Sequence, residues 1–216
     1  MKNTITVGTV GILGGVPSLP TPFVKSLLDM ANFNNEYLLG NEEQIYYNTA
    51  DMSYHSFARN RLVYDMRGDW LLMLDTDQTF EPDLLTRLKW VMDKRNIDVL
   101  TGLYFKKYPP YEPVIYHDTG DWKLESISEY DKSKEIIEID SAGGGCLLVK
   151  AKVYNAIIDK FGCMPFMEIP NNSEDHSFFW RLKQIGIQAY CAPHITCGHL
   201  EWREVNEEVR EQWQNQ

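Results

Sequence analysis

Two aspartates one residue apart, Asp75 and Asp77, stand directly behind the apolar run Trp70–Leu74. That run has no polar alternation, the pattern of a strand covered on both faces and typical of a parallel sheet. In open α/β sheets the ligand crevice lies outside the carboxyl ends of the strands, so Asp75-Thr76-Asp77 is placed to hold a cation there. Paired hard oxygen ligands suit Mg²⁺ or Mn²⁺, ions that also take phosphate oxygens, and so point to a diphosphate-bearing substrate. Aspartates at this spacing also cap turns, so the pair gains its weight from where it stands.

Ser173-Glu174-Asp175 opens a second candidate. A Ser N-cap with acids in the first helical turn stabilises a helix by ~1 kcal/mol from the cap and a few tenths from the dipole. The functional alternative is that one carboxylate projects from the helix start as a general base. Cys191, His194, Cys197 and His199 follow as C-x2-H-x2-C-x-H. This spacing lacks the paired knuckles of structural zinc sites and passes through Pro193. A single imidazole from the segment completing the aspartate metal fits better, and Gly198 beside His199 permits close backbone approach.

The elements that must position these groups are legible as an alternating pattern. Ile5 to Val16 is apolar and broken by Gly8, Gly11, Gly14 and Gly15, which predicts a buried strand and its exit loop. Thr21-Pro22 starts a helix with Phe23, Val24, Leu27, Leu28 and Ala31 on one side. Gln44 to Asn48 is a short strand ending in Asn48, Thr49 and Asp51, before a helix with Tyr54, Phe57, Ala58, Leu62 and Met66 inward. After Trp70–Leu74, Glu81-Pro82 starts a helix bearing Leu84, Leu85, Leu88, Val91 and Met92, and Asp98 to Phe105 is another strand. The order β-α-β-α-β-α-β predicts a doubly wound α/β fold with a Rossmann-like, mostly parallel central sheet.

From Tyr108 to Asp140 three prolines punctuate short runs, Pro113–Tyr116 and Glu135–Ile139, that read as antiparallel strands of an insertion. Gly143-Gly144-Gly145 leads into Cys146–Val149 and a helix with Val153, Ala156, Ile157 and Phe161. An irregular stretch to Asn172 precedes the last core helix, which carries Phe178, Phe179, Leu182 and Ile185 inward, stops at Gly186, and is followed by a strand from Ile187 to Cys191.

The 216 residues suit one compact domain, 44% hydrophobic and without repeats, which sets aside disordered and solenoid architectures. The formal charge of −10 has the wrong sign for a protein living on attraction to phosphate backbones. Part of the excess is local, since residues 201–216 hold five Glu and two Arg and read as a solvated helical tail. A basic patch remains around Arg87, Lys89, Lys94, Arg95, Lys106 and Lys107. No stretch approaches the ~20 apolar residues of a spanning helix, which predicts a cytoplasmic protein with reduced cysteines. G-x-G-x-x-G, G-x-x-x-x-G-K-[ST] and G-x-S-x-G are all missing, which removes the main support for dinucleotide, P-loop and serine-hydrolase chemistry.

Taken in order, LLMLDTD, GGGCLLVK, SED and PHITCGHL resemble the GT-A glycosyltransferases, especially the family 2-like group, over residues 5–200. The resemblance implies a single GT-A domain over 1–200 with 201–216 as an acidic tail. It implies a Mn²⁺ or Mg²⁺ cofactor, a UDP- or GDP-linked sugar donor, and transfer to an acceptor hydroxyl with inversion, a retaining transferase that does not use Asp175 as base being the alternative. By the same resemblance Asp77 is a direct metal ligand, Asp75 stands nearer the donor ribose or metal-bound water, and His199 supplies the later metal contact. Pro17 and Ser18 of VPSLP lie by the base or ribose, and Asn48 or Asp51 helps to read the base.

Arg59-Asn60 resembles a donor-side pair whose guanidinium reaches the diphosphate, though the same Arg also reads as a surface helix residue. Gly144 and Gly145 resemble the acceptor-side glycine turn, where missing side chains let sugar and acceptor approach the backbone. Glu174-Asp175 resembles the ED motif, with Asp175 the base. The chain departs from the pattern in its short region after the last strand and its Pro-rich insertion, which leaves a glycan, a protein or a modified nucleobase open as acceptor. Two rivals stand beside this reading. A nucleotidyltransferase would carry a basic Gly-rich loop near its N-terminus, and Gly8–Gly15 contains no basic residue. A non-catalytic nucleotide-sugar binding module on the same fold is the other.

Overall fold

Why the chain folds as it does is clearest at its centre, where strands too apolar for any surface are stacked between two helical layers. The computed structural model describes residues 4–12, 19–38, 44–52 and 54–201. Its elements in chain order are β1 (Thr4–Ile12), α1 (Thr21–Leu38), β2 (Gln44–Met52), α2 (His55–Asp65), β3 (Trp70–Asp75), β4 (Gln78–Thr79), α3 (Leu84–Arg95) and β5 (Val99–Leu103). There follow β6 (Ile115–Asp118), β7 (Leu124–Ser126), β8 (Ile137–Ile139), β9 (Ser141–Ala142), β10 (Cys146–Lys150), α4 (Ala151–Phe161), α5 (Glu174–Gln184), β11 (Ala189–Thr196) and β12 (Gly198–His199).

The main sheet has seven strands in the order β2-β1-β3-β10-β5-β11-β8. Pairing is parallel for β2-β1, β1-β3 and β5-β11, and antiparallel wherever β10 or β8 takes part. Along β3 successive side chains go to opposite faces, as the pleat requires. Leu71 and Met73 pack with Ala58 and Leu62 of α2, Val153 and Ile157 of α4, and Phe178 and Leu182 of α5. Leu72 and Leu74 pack on the other face with Phe23 and Met30 of α1 and Leu85, Leu88 and Met92 of α3. Both faces are therefore dry, and a central strand without polar alternation is what that burial demands.

Several boundaries differ from the sequence-based expectation, each for a physical reason. β2 runs on through Asn48 to Met52 because β1 offers it a parallel partner as far as Ile12. On α2 the expected apolar side is only half inward: Tyr54 and Phe57 are exposed, while Arg59 and Asn60 share the buried face with Ala58 and Leu62. Ile137–Ile139 does not stay in the insertion but closes the edge of the main sheet against β11. The insertion's own sheet is β7-β6-β9.

β11 continues past Cys191 through Pro193 to Thr196. Pro193 has no N–H to give the ladder, and the β5 register jumps there from Ala192↔Gly102 to Thr196↔Leu103. The irregularity lets the Cys197 N–H donate to Leu103 O at 2.8 Å and turns the chain toward β12. The proposed tail lies, beyond Glu201, outside the described residues. Among the described residues no helix is long and apolar enough to cross a membrane.

Candidate functional site

The parallel strands β1, β2, β3, β5 and β11 end on one edge of the sheet, and the antiparallel β10 begins there. At that edge the Asp75 N–H donates to Gly145 O (3.1 Å) and the Thr76 N–H to Val10 O (3.3 Å), so the end of β3 is held between β1 and the glycine turn. The chain then turns into β4, which pairs antiparallel with β12 in the register Gly198↔Thr79 and His199↔Gln78. The Leu200 N–H closes this ladder on Asp77 O at 2.7 Å. Asp77 and His199 meet as a result, with Nε2 of His199 3.5 Å from Oδ2 of Asp77.

Nδ1 of His199 lies 2.7 Å from Phe105 O, an acceptor only, so this nitrogen carries a proton. A protonated ring donates from Nε2 to Asp77, and a neutral ring turns a lone pair to the same point. Lys107 reaches the same carboxylate oxygen from the loop after β5. Burial alone would raise the Asp77 carboxyl, but hydrogen bonds from His199 and Lys107 outweigh it and hold the group at about 2. Close approach of the two short strands depends on Gly198, where a Cβ would stand 2.3 Å from Thr79 Oγ1. Gly198→Ala is expected to cost about 1–3 kcal/mol of stability by displacing the Thr79 hydroxyl. Removing the obstructing hydroxyl in a Gly198→Ala/Thr79→Ala double variant should restore part of that loss, as urea unfolding of the four proteins in the cycle would measure.

Arg59 is the other junction. It is only 2% exposed, and burial alone would depress its guanidinium, but the carboxylates of Asp75, Glu174 and Asp175 outweigh that effect and raise it. Nε donates to Glu174 Oε1 (3.1 Å), one terminal nitrogen to Gly144 O (3.1 Å), and the other lies 3.0–3.1 Å from both oxygens of Asp75. One side chain thus ties together the end of β3, the glycine turn and the start of α5. The expected donor-facing guanidinium is instead an internal brace, and Asp75, expected beside the metal or ribose, is engaged by it.

The glycine turn also has a different reason from the one expected. Gly143, Gly144 and Gly145 are all buried, and the space their Cβ atoms would take is filled from within the protein. A Cβ on Gly144 would fall 2.5 Å from Arg59 Cζ, one on Gly143 2.0 Å from Tyr104 Oη, and one on Gly145 2.8 Å from Gln78 Nε2. The Tyr104 hydroxyl accepts the Gly145 N–H (3.1 Å), and its ring meets His199 edge-on at 5.4 Å. Burial, with the charges of Asp75 and Asp175, raises the Tyr104 phenol well above its ordinary value, so it stays protonated.

At the start of α5, Glu174 is buried against Arg59 while Asp175 is half-buried. The Ser173 hydroxyl does not cap the helix backbone as expected; it bonds the Asp175 carboxylate, which also accepts the His176 N–H at 2.7 Å. His176 is itself fixed by Ser141 Oγ (2.7 Å from Nδ1) and by the edge of Tyr116 (5.1 Å).

The remaining expected positions divide. Asn48 pairs with Gly8 inside β2, level with Met73 and short of the strand end, and its Oδ1 accepts the Thr49 N–H. Asp51 pairs with Gly11, one step beyond Val10, the partner of Asp75, so the backbone brings it to the same edge. Pro17 and Ser18 lie outside the described residues. Cys191 and Cys197 are buried in the clusters on opposite faces of the sheet. Sequence reasoning missed Tyr104 and Gln78, and noted Lys107 only as part of a basic patch; a run of three glycines was the one available signal that bulky neighbours press on that turn.

No protein-family model matches the chain, and no curated protein does. Solved structures do. A197 from STIV superposes with a TM-score of 0.54 at 17% identity, over 92% of this chain and 86% of that one. The crystal structure of GalNAc-T7 with UDP, GalNAc and Mn²⁺ superposes with a TM-score of 0.59 at 13% identity, over 94% of this chain. The fold is the GT-A fold. The chain spans less than half of GalNAc-T7, 44% of its length, so the likeness carries the architecture and nothing finer.

Whether these residues suit a divalent cation is a question of donors. Among the described residues no group of three or more His, Cys, Asp or Glu side chains gathers into a complete metal site. What converges is one carboxylate and one imidazole. Oδ2 of Asp77 is the oxygen that faces His199 and Lys107, while Oδ1 is buried and, among the described residues, accepts no hydrogen bond. A half-set of this kind fits an ion such as Mg²⁺ or Mn²⁺ that takes its other ligands from water and substrate phosphates.

Proposed function

We propose that the chain is a metal-dependent glycosyltransferase that moves a sugar from a UDP- or GDP-linked donor to an acceptor hydroxyl with inversion. The observation that carries this reading is the meeting of Asp77 and His199 at the strand ends of a GT-A fold, with Oδ2 of the carboxylate 3.5 Å from Nε2 of the imidazole. The neighbouring fold of GalNAc-T7, solved with UDP, GalNAc and Mn²⁺, supports a nucleotide sugar and a divalent ion as the ligands to test first.

In this reading Asp77 and His199 hold the cation, and Phe105 O orients the imidazole through Nδ1. Bound there, Mn²⁺ or Mg²⁺ supplies Lewis-acid stabilisation of the negative charge that grows on the departing diphosphate. Asp175 accepts the proton of the acceptor hydroxyl as its oxygen attacks the anomeric carbon from the face opposite the leaving group. Ser173 and the His176 N–H orient that carboxylate, while Glu174 is committed to Arg59 and serves to position the helix start. Arg59 keeps Asp75 and the glycine turn in fixed relation to α5.

Asp77→Asn is expected to lower Mn²⁺-dependent transfer by about 10²–10³-fold. Thermal midpoints with UDP- and GDP-sugars, each with and without Mn²⁺, should show a stabilisation that needs both ligands and vanishes in this variant. Full metal-dependent transfer by Asp77→Asn would overturn the assignment.

A further inference from the structure

The carboxylate oxygen that His199 faces is not vacant. Lys107 Nζ lies 2.5 Å from Oδ2 of Asp77, the same oxygen that stands 3.5 Å from His199 Nε2. A unit positive charge thus stands where a divalent cation shared by the two side chains would have to approach. The base of the loop that presents it is firmly closed. The Lys106 N–H donates to Glu112 O (2.9 Å), Lys106 Nζ pairs with Glu112 (2.6 Å), and the Tyr111 N–H donates to Tyr108 O (2.9 Å). The Lys107 side chain itself is about one-third exposed at 34%. Its ammonium stands at the end of a flexible four-carbon stem that already reaches solvent.

We infer that Lys107 is a built-in counter-cation. It pairs with Asp77 at the ion position, so that a divalent cation binds tightly only when a diphosphate draws the ammonium away. The inference rests on the glycosyltransferase reading above and adds a control of cation entry at that site. Its physical basis is charge balance. Asp77 brings one negative charge, which Lys107 already neutralises, and a dication entering beside the ammonium meets repulsion at close range. A diphosphate brings enough negative charge for both cations, and an ammonium with three rotatable donors is a good phosphate partner. Cation and nucleotide then bind cooperatively, each raising the affinity for the other by the same factor. The device keeps a free metal ion from occupying the site before the donor arrives.

The test uses Mn²⁺ alone, titrated into the full chain, with free Mn²⁺ read from its electron paramagnetic resonance signal. Lys107→Met and Lys107→Gln are expected to bind Mn²⁺ about ten-fold more tightly than the wild type. Lys107→Arg, which keeps the charge, should behave as the wild type, and the gain should vanish in Lys107→Met/Asp77→Asn. Adding UDP, GDP or inorganic pyrophosphate should narrow the gap between wild type and Lys107→Met. Equal or weaker Mn²⁺ binding in both neutral variants, with binding still dependent on Asp77, would overturn the role of Lys107 and leave the metal reading standing. No Asp77-dependent binding in any of the proteins, with or without those phosphates, would overturn both.

Discussion

Asp175→Asn is expected to lower the rate of sugar transfer by about 10²–10⁴-fold while donor binding stays close to that of the wild type. The expectation follows from how the two acids at the start of α5 are placed. Glu174 is buried, with Oε1 3.1 Å from Arg59 Nε, and is not free to take a proton from an acceptor. Asp175 is half-buried and oriented by Ser173 and the His176 N–H, contacts that an Asn side chain can largely reproduce through its carbonyl oxygen. The substitution therefore removes the basic charge and little else. Donor affinity from calorimetry and product formation from a transfer assay separate the two effects, because a base acts in the transition state and not in holding the donor. Transfer at the wild-type rate would remove Asp175 from the chemistry and, with it, the inverting route.

Arg59→Met is expected to destabilise the fold by about 3–5 kcal/mol, the scale for breaking a buried ion pair from one side. Methionine fills much of the same volume but returns none of the bonds to Glu174, Gly144 O and Asp75. Glu174 would be left as a buried charge without its partner, and the glycine turn would lose the group against which it is packed. Changing Glu174 to Gln in the Arg59→Met background should recover part of the loss, since a neutral amide is cheaper to bury than an unpaired carboxylate. Urea unfolding of the single and double variants reads this directly. A loss under 1 kcal/mol for Arg59→Met would mean that the three segments are held together by something other than this side chain.

The contrast between Asp75-Thr76-Asp77 and Arg59 shows how far a sequence carries such an account. The central strand and the acidic turn behind it were legible because a run buried on both faces has a local signature and the polar residues that follow must mark its end. His199 was readable as a partner for Asp77 from a cysteine and histidine spacing that does not suit zinc and from the order of motifs, but not from periodicity, since the β4–β12 ladder that joins them is two residues on each side and has no pattern of its own. Arg59 was not readable as a brace. A charged residue on a helix looks like a surface residue until its acceptors are known, and here they come from positions 16, 85 and 115 residues away. The glycines at 143–145 were visible, but whether a ligand or the protein fills the missing Cβ space depends on Tyr104, Gln78 and Arg59, which converge only in three dimensions. The direction of β10 was hidden for the same reason, because an apolar strand reads identically whichever way it runs.

The claim on which the proposed chemistry rests is that Asp77 and His199 hold one divalent ion beside the donor diphosphate. Crystals grown with Mn²⁺ and UDP, with anomalous differences recorded at the manganese edge, address it most directly. A single strong peak is expected at coordination distance from both an Asp77 carboxylate oxygen and His199 Nε2, with the remaining ligands from the diphosphate and water. UDP bound at this sheet edge with manganese elsewhere, or bonded to neither side chain, would contradict it.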